Sequence, residues 1–320
     1  MNSRWMPGYS ALQLIVVSVV LLLLFAASSL LSPYFATPYN MTIIARSLAF
    51  IGLVTLGQAM LMLLGELDIS LGAMGGLCGV AAGMLMMDLG VNPFVAMGLA
   101  VMLGGLLGLL NGFLITALNL HSLVLTIAMA GVYKGVNLVL TKGVAITDIP
   151  ASIQFLGRGD IGPFPTPFVI MIGLLVVIAV VAHRTPFGRY VFAIGDNAAA
   201  ARMIGVKVNR IKLLVFVIAG ALAALAGTLM VARLGTAQPS IGDTWVLPSI
   251  AAAVIGGVAT TGGIGSPVGA ILGAGIVGVI EDITVLYGIS PYWQGVISGM
   301  IVVLAISFDS VSRRYLFSSR

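Results

Sequence analysis

Charged side chains are scarce in this sequence, where Asp, Glu, Lys and Arg together make up 8% of the residues. Soluble domains carry roughly 25% charged residues. Hydrophobic residues account for 60% of the chain, and its mean hydropathy is +1.16. The composition therefore excludes a soluble globular domain and indicates an integral membrane protein. The 41 glycines fit membrane helices that pack closely against one another.

Metal-binding and disulfide-forming residues are equally rare. The single cysteine, Cys78, excludes an internal disulfide, and its apolar surroundings in the sequence indicate a small buried side chain. The two histidines, His121 and His183, are far apart, and neither has a second histidine or a cysteine at metal-ligand spacing. We therefore predict that this chain binds no metal.

Motifs for catalysis are missing as well. The sequence has no Gly-x4-Gly-Lys-Ser/Thr phosphate-binding loop and no Gly-x-Ser-x-Gly nucleophile elbow. We predict no catalytic residue and no cofactor bound by this chain, so a membrane enzyme is disfavoured. Acidic residues lie mostly at the ends of apolar runs, which argues against proton or sodium coupling through carboxylates inside the spans.

The sequence is rich in apolar runs close to the ~20 residues that a helix needs to cross a bilayer. We predict an all-α polytopic membrane protein with about ten spans in a single transmembrane domain, 1–320. A cleaved signal peptide is the alternative for the first run, but the apolar core of a signal peptide has only about 7–15 residues. The predicted spans are 12–31, 47–64, 69–87, 94–118, 123–140, 166–182, 213–232, 247–260, 268–280 and 293–308, of which the eighth and ninth are short.

Basic residues are distributed unevenly over this arrangement. With the N-terminus in the cytoplasm, ten of the 15 Lys and Arg residues fall on the inner side. Cytoplasmic loops are enriched in Lys and Arg, so both termini are predicted to be cytoplasmic, and the net charge of +5 requires no nucleic-acid partner. The ten residues are Arg4, Arg184, Arg189, Arg202, Lys207, Arg210, Lys212, Arg313, Arg314 and Arg320.

Residues 184–212 carry six of these basic side chains between two spans, and we interpret them as a cytoplasmic loop. Inside this loop, residues 197–204 have a helical composition with four alanines. Asn197 can cap the start of such a helix, and Gly205 can end it. We interpret the segment as a surface helix that meets a cytoplasmic partner. A solvated loop without a partner is the alternative, and charge alone favours it.

Two carboxylates lie close together between the second and third predicted spans, in the sequence Gly-Glu-Leu-Asp-Ile-Ser-Leu-Gly. Asp68 can cap the third helix, with Ser70 nearby, where a negative charge suits the helix dipole. A gate or a partner contact at the cytoplasmic face is the alternative role, and Glu66 has no capping role. The candidate gate or helix-cap motif comprises Glu66, Asp68, Ser70 and Gly72.

Two other connections are distinctive. The predicted outer loop 141–165 contains three prolines and no clear periodicity, and we interpret it as a docking surface for an extracytoplasmic partner. The glycine-rich run 262–267 interrupts the chain between two short spans. Irregular backbone of this kind occurs at membrane depth only where protein buries it or where it lines a cavity.

Several of these motifs resemble the permease subunit of ribose-type ABC importers, in a superfamily that also contains branched-chain amino acid permeases. Residues 65–72 resemble the family's Gly-Gly-Ile-Asp-Leu-Ser-Val-Gly motif, and residues 188–206 resemble its cytoplasmic coupling loop. The resemblance covers nearly the whole chain, because further matching stretches follow in family order. These stretches are 233–239, 250–257, 262–263 and 288–294.

The resemblance implies a type II importer permease in a bacterial inner membrane. Such a subunit pairs with a second permease and binds two ABC ATPase subunits, which hold ATP and Mg²⁺. A periplasmic or lipid-anchored binding protein delivers a monosaccharide of the ribose type or a related sugar. The residues implied in coupling to the ATPase are Asn197, Ala198, Ala199, Ala200, Ala201, Arg202, Met203, Ile204 and Gly205.

The sequence departs from the family pattern at four positions. Ala198 stands where relatives often carry Glu, Val246 and Pro248 stand where relatives often carry acids, and Glu66 replaces a glycine. The departures favour a divergent member that pairs with a different permease, and they leave the sugar open. A branched-chain amino acid permease is an alternative that the Asp-Ile-Ser-Leu-Gly stretch disfavours, and a secondary transporter working alone is another.

Overall fold

The computed structural model describes residues 7–290 and, beyond them, residues 293, 295–297, 299–304 and 307. Seven helices in this part are long and apolar enough to cross a membrane, which confirms the predicted all-helical polytopic fold. The helices are α1 (Pro7–Leu31), α2 (Pro38–Leu63), α3 (Leu71–Met87), α4 (Pro93–Leu118), α5 (Ser122–Thr141), α6 (Gln154–Arg158), α7 (Thr166–Arg184), α8 (Pro186–Met203), α9 (Val208–Leu234), α10 (Val246–Ile255) and α11 (Pro267–Leu286).

Four helices begin in the same way, with a proline directly after a polar capping residue. The side-chain oxygen of Thr37 accepts a hydrogen bond from the Asn40 amide at the start of α2. Asn92, Thr185 and Ser266 do the same at the starts of α4, α8 and α11. A proline in the first turn sacrifices no helical hydrogen bond, and the cap satisfies a free amide. These boundaries therefore follow from local sequence.

Helix α9 is the centre of the packing, with α2, α3 and α4 against it. The closest approaches are made by glycines: a methyl group on Gly227 would overlap the Gly75 carbonyl, and one on Gly220 would overlap the Gly104 carbonyl. Small residues let membrane helices approach closely, which maximises van der Waals contact in the absence of a hydrophobic driving force.

Helix α9 also connects the two ends of the molecule. Its first residue follows α8, and at its last turn Arg158 of α6 donates to the carbonyl of Leu234 over 2.9 Å. We refer to these ends as the α8 face and the α6 face. At the α6 face, the Asn40 amide donates to the Asp282 carboxylate over 2.7 Å, which joins α2 to α11.

The predicted loop 184–212 is mostly helical in the structure. Helix α7 runs through Arg184, α8 occupies Pro186–Met203, and α9 begins at Val208, five residues before the predicted span 213–232. The expected surface helix is the second part of α8. Helix α8 starts earlier than the predicted surface helix at 197–204. The reason is the proline at position 186 together with the Thr185 cap, whose side-chain oxygen accepts a hydrogen bond from the Gly188 amide.

The eighth and ninth spans differ from their predicted bounds. Helix α10 ends at Ile255, not at residue 260, because glycines with positive φ follow it: Gly257 at 87° and Gly262 at 90°. Helix α11 has 20 residues and extends to Leu286, beyond the predicted end at 280. The acidic residues there do not stop it, since Asp282 is bound by Asn40. The predicted tenth span, 293–308, includes residues outside the described part of the chain.

Two segments between predicted spans contain regular structure. Helix α2 begins at Pro38, so most of the segment before the predicted span 47–64 is helical. The loop 141–165 contains a 3₁₀ turn (Ala151–Ile153), α6, and strands β1 (Asp160–Ile161) and β2 (Phe164–Pro165), which pair antiparallel. Arg46 of α2 holds this loop by donating to Asp160 over 2.9 Å.

Candidate functional site

The 197–205 segment projects from the α8 face as a capped helical turn. Asn197 is extended, with φ −158° and ψ 98°, and this kink divides α8. Its side-chain oxygen accepts from the Ala200 amide over 3.0 Å, and Gly205, with φ +85°, follows the last turn. The predicted cap at Asn197 and the predicted end at Gly205 are confirmed; the role of the segment in coupling stays a prediction.

The surface of this segment is unusually apolar for an exposed tip. Met203 and Ile204 are 89% and 78% exposed. Ala199, Ala200 and Arg202 are exposed too, whereas Ala201 is buried against the rest of the molecule. Met203 and Ala199 are four residues apart and share one side of the turn. The tip therefore presents small and apolar side chains, with Arg202 beside them.

Three separate stretches of backbone meet where α8 kinks, and we refer to residues 63–65, 195–196 and 261–263 as the junction. The Gly263 amide donates to the Leu63 carbonyl over 2.9 Å, and a methyl group on Gly195 would overlap that carbonyl. Gly262 lies so close that its Cβ would be 2.9 Å from the Cα of Gly65. The predicted glycine-rich break therefore packs against protein at Gly262 and Gly263, while Ile264 beside them is 40% exposed.

The predicted carboxylate pair separates into two different environments. Glu66 forms an ion pair with Lys212 in the first turn of α9, and their side chains are 11% and 19% exposed. The turn between α2 and α3 is thus held on one side by the junction and on the other by α9. Lys212 had appeared in the sequence only as one of six basic residues in a loop, so this partner of Glu66 was not predicted.

Asp68 is fully buried and is not the N-cap of α3, which corrects the predicted role. Ser70 occupies the N-cap position, and its side chain makes no cap hydrogen bond. One Asp68 oxygen accepts from the Ser70 amide over 2.7 Å and from its hydroxyl over 2.6 Å. The other accepts from the Asn111 amide over 3.0 Å, and Asn111 accepts from the Tyr133 hydroxyl over 2.7 Å. Asp68 therefore ties α3, α4 and α5 together.

Gly72, the last residue of the predicted motif, has a packing role. A methyl group on Gly72 would overlap the carbonyl of Gly242, and one on Gly76 would overlap that of Ile241. The segment between α9 and α10 therefore lies directly against α3, and only glycine fits the close approach.

A cavity of about 320 Å³ opens beside this segment, nearer to the α6 face. It lies between α2, α9, α10 and α11. Cavities that bind small molecules begin at about 300 Å³ and combine apolar walls with a few polar groups. The lining residues are Ser47, Phe50, Ile51, Met230, Arg233, Asp243, Thr244, Trp245, Val246, Leu247, Pro248, Glu281 and Gly295. None of them had been singled out as a binding residue.

The charged groups of the cavity are held in place by neighbours. Lys134 of α5 donates to both Asp243 oxygens over 2.6 and 2.7 Å and to the Pro239 carbonyl over 2.8 Å. The Arg233 guanidinium lies 5.3 Å from the centre of the Phe50 ring, a cation–π contact. The cavity thus offers an aromatic surface next to fixed donors and acceptors.

Polar groups continue along α2 below this cavity. Thr55 and Gln58 are fully buried, and the Thr55 hydroxyl and both amide atoms of Gln58 have no hydrogen-bond partner among the described residues. The sequence did not mark these two residues as a site, because they are neutral side chains in an apolar run. Only the structure shows that they lack hydrogen-bond partners.

Within the described residues, no three His, Cys, Asp or Glu side chains are grouped so that they could hold a metal ion. His183 stacks on Phe192 and lies 3.4 Å from the Ser266 hydroxyl. His121 precedes α5 at its N-cap position.

The chain is similar to bacterial membrane permeases over most of its length. Residues 40–306 match the family described as branched-chain amino acid transport system / permease component. The ribose import permease protein RbsC of Bacillus subtilis is 37% identical over 88% of both chains. RbsC of Escherichia coli K12 is 34% identical over 91% of this chain and 92% of that one.

A relative named for a different substrate is nearly as similar. The autoinducer 2 import system permease protein LsrC of Enterobacter sp. 638 is 33% identical over 93% of this chain and 87% of its own. No solved structure is a significant match.

Proposed function

The chain belongs to the branched-chain amino acid transport system / permease component family, and on that premise we propose that it carries a ribose-type monosaccharide across the membrane. It is a multi-pass, non-catalytic membrane subunit of an ABC importer, as the resemblance implied. Importers of this kind work with ATPase and binding-protein partners. What we propose beyond the family is the class of substrate, the route of the substrate through the protein, and which end of the protein faces the cytoplasm.

The observation that carries the sugar proposal is the cavity at the α6 face. Its volume of about 320 Å³ suits a small ligand, and it places Trp245 and Phe50 beside Asp243 and Arg233. An aromatic face packs against the C–H side of a sugar ring, while charged and polar groups bind its hydroxyls.

Two of the four departures from the family pattern fall at this cavity. Val246 and Pro248, which stand where ribose-type relatives often carry acids, both line it. The substrate therefore meets apolar walls where those relatives offer carboxylates. These departures leave the exact sugar open, so the proposed substrate class rests on the ribose permease relatives and on the volume and aromatic walls of the cavity. A substrate like that of the autoinducer 2 permeases is an outcome for the experiment to decide.

We assign the α8 face to the cytoplasm and the α6 face to the outside, with both termini cytoplasmic in a bacterial inner membrane. The 197–205 segment then docks on an ATPase subunit, which binds ATP and Mg²⁺. The loop 141–165, with β1, β2 and α6, then faces the sugar-binding protein. A second permease, identical or different, completes the path, and residues 1–320 act as one transmembrane domain.

The junction gives this assignment a mechanism. A displacement of the 197–205 segment moves Gly195, which contacts Leu63 and Gly263 directly. Leu63 ends α2, whose other half lines the cavity, and Gly263 leads into α11, which does so as well. Closure of the ATPase pair can therefore change the width of the cavity through two helices at once, without any chemistry in this chain.

Reconstitution tests the proposal. The chain is co-expressed with its ATPase and binding-protein partners, purified and placed in liposomes. Uptake of labelled D-ribose, autoinducer 2 and L-leucine is measured with and without ATP. We expect ATP-dependent uptake of D-ribose. Uptake of L-leucine alone would overturn the sugar proposal, and D-ribose uptake by the chain without ATPase or ATP would identify a secondary transporter.

A further inference from the structure

We propose that Gln58 and Thr55 of α2 form an inner contact site for the substrate, closed in this conformation, on the route from the cavity to the α8 face. The inference rests on the proposed import function and extends it. It names two residues that bind the hydroxyl groups of the sugar after the substrate has left the cavity.

The first observation is the missing partners of these side chains. Gln58 is fully buried, and neither its Oε1 nor its Nε2 has a hydrogen-bond partner among the described residues; the same is true of the Thr55 hydroxyl. Leaving a buried donor or acceptor unpaired costs about 1–3 kcal/mol. Such groups in a native structure require an explanation, and a ligand that is absent from this conformation is one.

Two other buried helical hydroxyls are satisfied within their own helices, whereas the Thr166 hydroxyl at the start of α7, like that of Thr55, has no hydrogen-bond partner among the described residues. Thr228 of α9 donates to the Leu225 carbonyl over 3.0 Å, and Ser249 of α10 donates to the Val246 carbonyl over 2.7 Å. Thr55 is equally buried in a helix and makes no such bond among the described residues. Its hydroxyl is therefore available to a group outside α2.

The second observation is the position of Gln58 on α2. At 100° per residue, Gln58 falls within about 20° of both Ser47 and Ile51, which line the cavity. It lies seven residues beyond Ile51, or about 10 Å further along the helix. The helix ends at Leu63 in the junction. Gln58 therefore lies on the same side of α2 as these cavity-lining residues, between the cavity and the α8 face.

The chemistry of the pair suits a polyol. The amide of Gln58 offers two donors and one acceptor, and the Thr55 hydroxyl can both donate and accept. A sugar hydroxyl also donates and accepts, so the substrate can satisfy every group that is unpaired here. Neutral partners bind hydroxyls less tightly than charged partners do, which lets the substrate leave again toward the cytoplasm.

Substitution by apolar residues of similar size separates a substrate contact from a structural role. In Gln58→Met the unpaired amide is removed, so thermal stability of the purified complex is unchanged or higher. The maximal rate of ATP-dependent D-ribose uptake per folded complex falls about three- to tenfold, as expected for the loss of hydrogen bonds worth about 0.5–1.5 kcal/mol.

A matched pair of threonines serves as the control. We expect Thr55→Val to leave stability unchanged and to lower the uptake rate. Thr228→Val loses the hydrogen bond to the Leu225 carbonyl, so we expect lower stability but an unchanged uptake rate per folded complex. Unchanged D-ribose uptake in Gln58→Met, or a loss of uptake that follows a loss of stability, would overturn the inference.

Thiol labelling tests the route independently of the sugar. In a Cys78→Ala background, a cysteine is introduced by Gln58→Cys or by Met60→Cys, which is equally buried but about 200° around the helix. A small hydrophilic thiol reagent is applied to the complex with ATPase and binding protein, with and without ATP.

We expect ATP-dependent labelling in the Gln58→Cys protein and none in the Met60→Cys protein. Absence of labelling at position 58 during turnover, or equal labelling at both positions, would contradict the inner site. If the wild-type complex transports no D-ribose, the proposed substrate fails, and the labelling result still decides whether Gln58 lies on the route.

Discussion

Lys212 in the first turn of α9 forms an ion pair with Glu66, 146 residues earlier in the chain. Both side chains are largely buried, so the pair is screened by solvent less than a surface ion pair would be. It fixes the turn between α2 and α3 to the start of α9, the helix that follows the 197–205 segment. The same turn contacts Gly195, just before that segment, through the junction. Both flanks of the proposed coupling element are therefore connected to one turn.

The first prediction concerns this pair. In Glu66→Gln, Lys212 loses its carboxylate at a largely buried position, where a hydrogen bond to a charged group contributes about 1.5–3 kcal/mol. We expect a several-fold decrease in sugar imported per ATP hydrolysed. The exchange Glu66→Lys with Lys212→Glu restores the pair and much of the coupling, while Lys207→Gln, at an exposed position, has no effect. A double exchange no better than the single change would contradict this role.

The exposed tip gives the second prediction. Ala199→Trp adds bulk to the side of the 197–205 segment that Met203 shares, so the ATPase no longer docks while the membrane helices fold normally. Co-purification of the ATPase with the variant measures this. Ala151→Trp, exposed near the α6 face, is the control and retains the ATPase. Normal recovery of ATPase with Ala199→Trp and normal uptake would remove the coupling role from the segment.

A third prediction compares two aspartates. In Asp68→Asn the new NH₂ group must face either the two donors of Ser70 or the NH₂ of Asn111. At least one buried donor then lacks an acceptor, which costs about 1–3 kcal/mol of stability. Asp88 is exposed at the end of α3, so Asp88→Asn changes stability little. Thermal unfolding of both purified proteins in detergent measures the difference, and similar midpoints would argue against the Asp68 network as a stabilising element.

The junction supports a fourth prediction based on backbone contact. Gly195→Ala places a methyl group into the Leu63 carbonyl, so the junction must open. We expect lower ATP-driven uptake with near-normal membrane insertion. Gly131→Ala is the matched change, since a Cβ there has no contact within 4 Å. If the two alanine variants transport equally well, the junction does not transmit motion.

The fifth prediction addresses the sides of the membrane. Reporter fusions at Asp148 and at Asn197 are expected on opposite sides, the second in the cytoplasm, because the apolar helix α7 separates these residues in the chain. Activity of both fusions in the same compartment would contradict the assignment of the α8 face.

Features with local causes were predictable from the sequence. The apolar runs identified the membrane class because about 20 apolar residues are enough to span a bilayer. Asn197 and Gly205 were recognised as the limits of a helical turn because a cap needs only a side chain and an amide three residues away. The order of short motifs along the chain was sufficient to indicate the permease family. Each of these signals is read along the chain and requires no contact between distant residues.

Features that depend on distant residues were decided by the tertiary structure. Glu66 appeared unexplained until α9 brought Lys212 beside it, and Asp68 appeared to be a cap until Asn111 and Ser70 surrounded it. A hydrophobic run does not show which side chains will lack partners, so Gln58 was not identified from the sequence. The sequence by itself determined the class, most of the membrane helices and the limits of the 197–205 turn, whereas several helix ends differed from their predicted positions. Packing of α2, α9, α10 and α11 decided where the cavity lies and which polar groups face it, because hydrogen bonds and ion pairs form between neighbours in space.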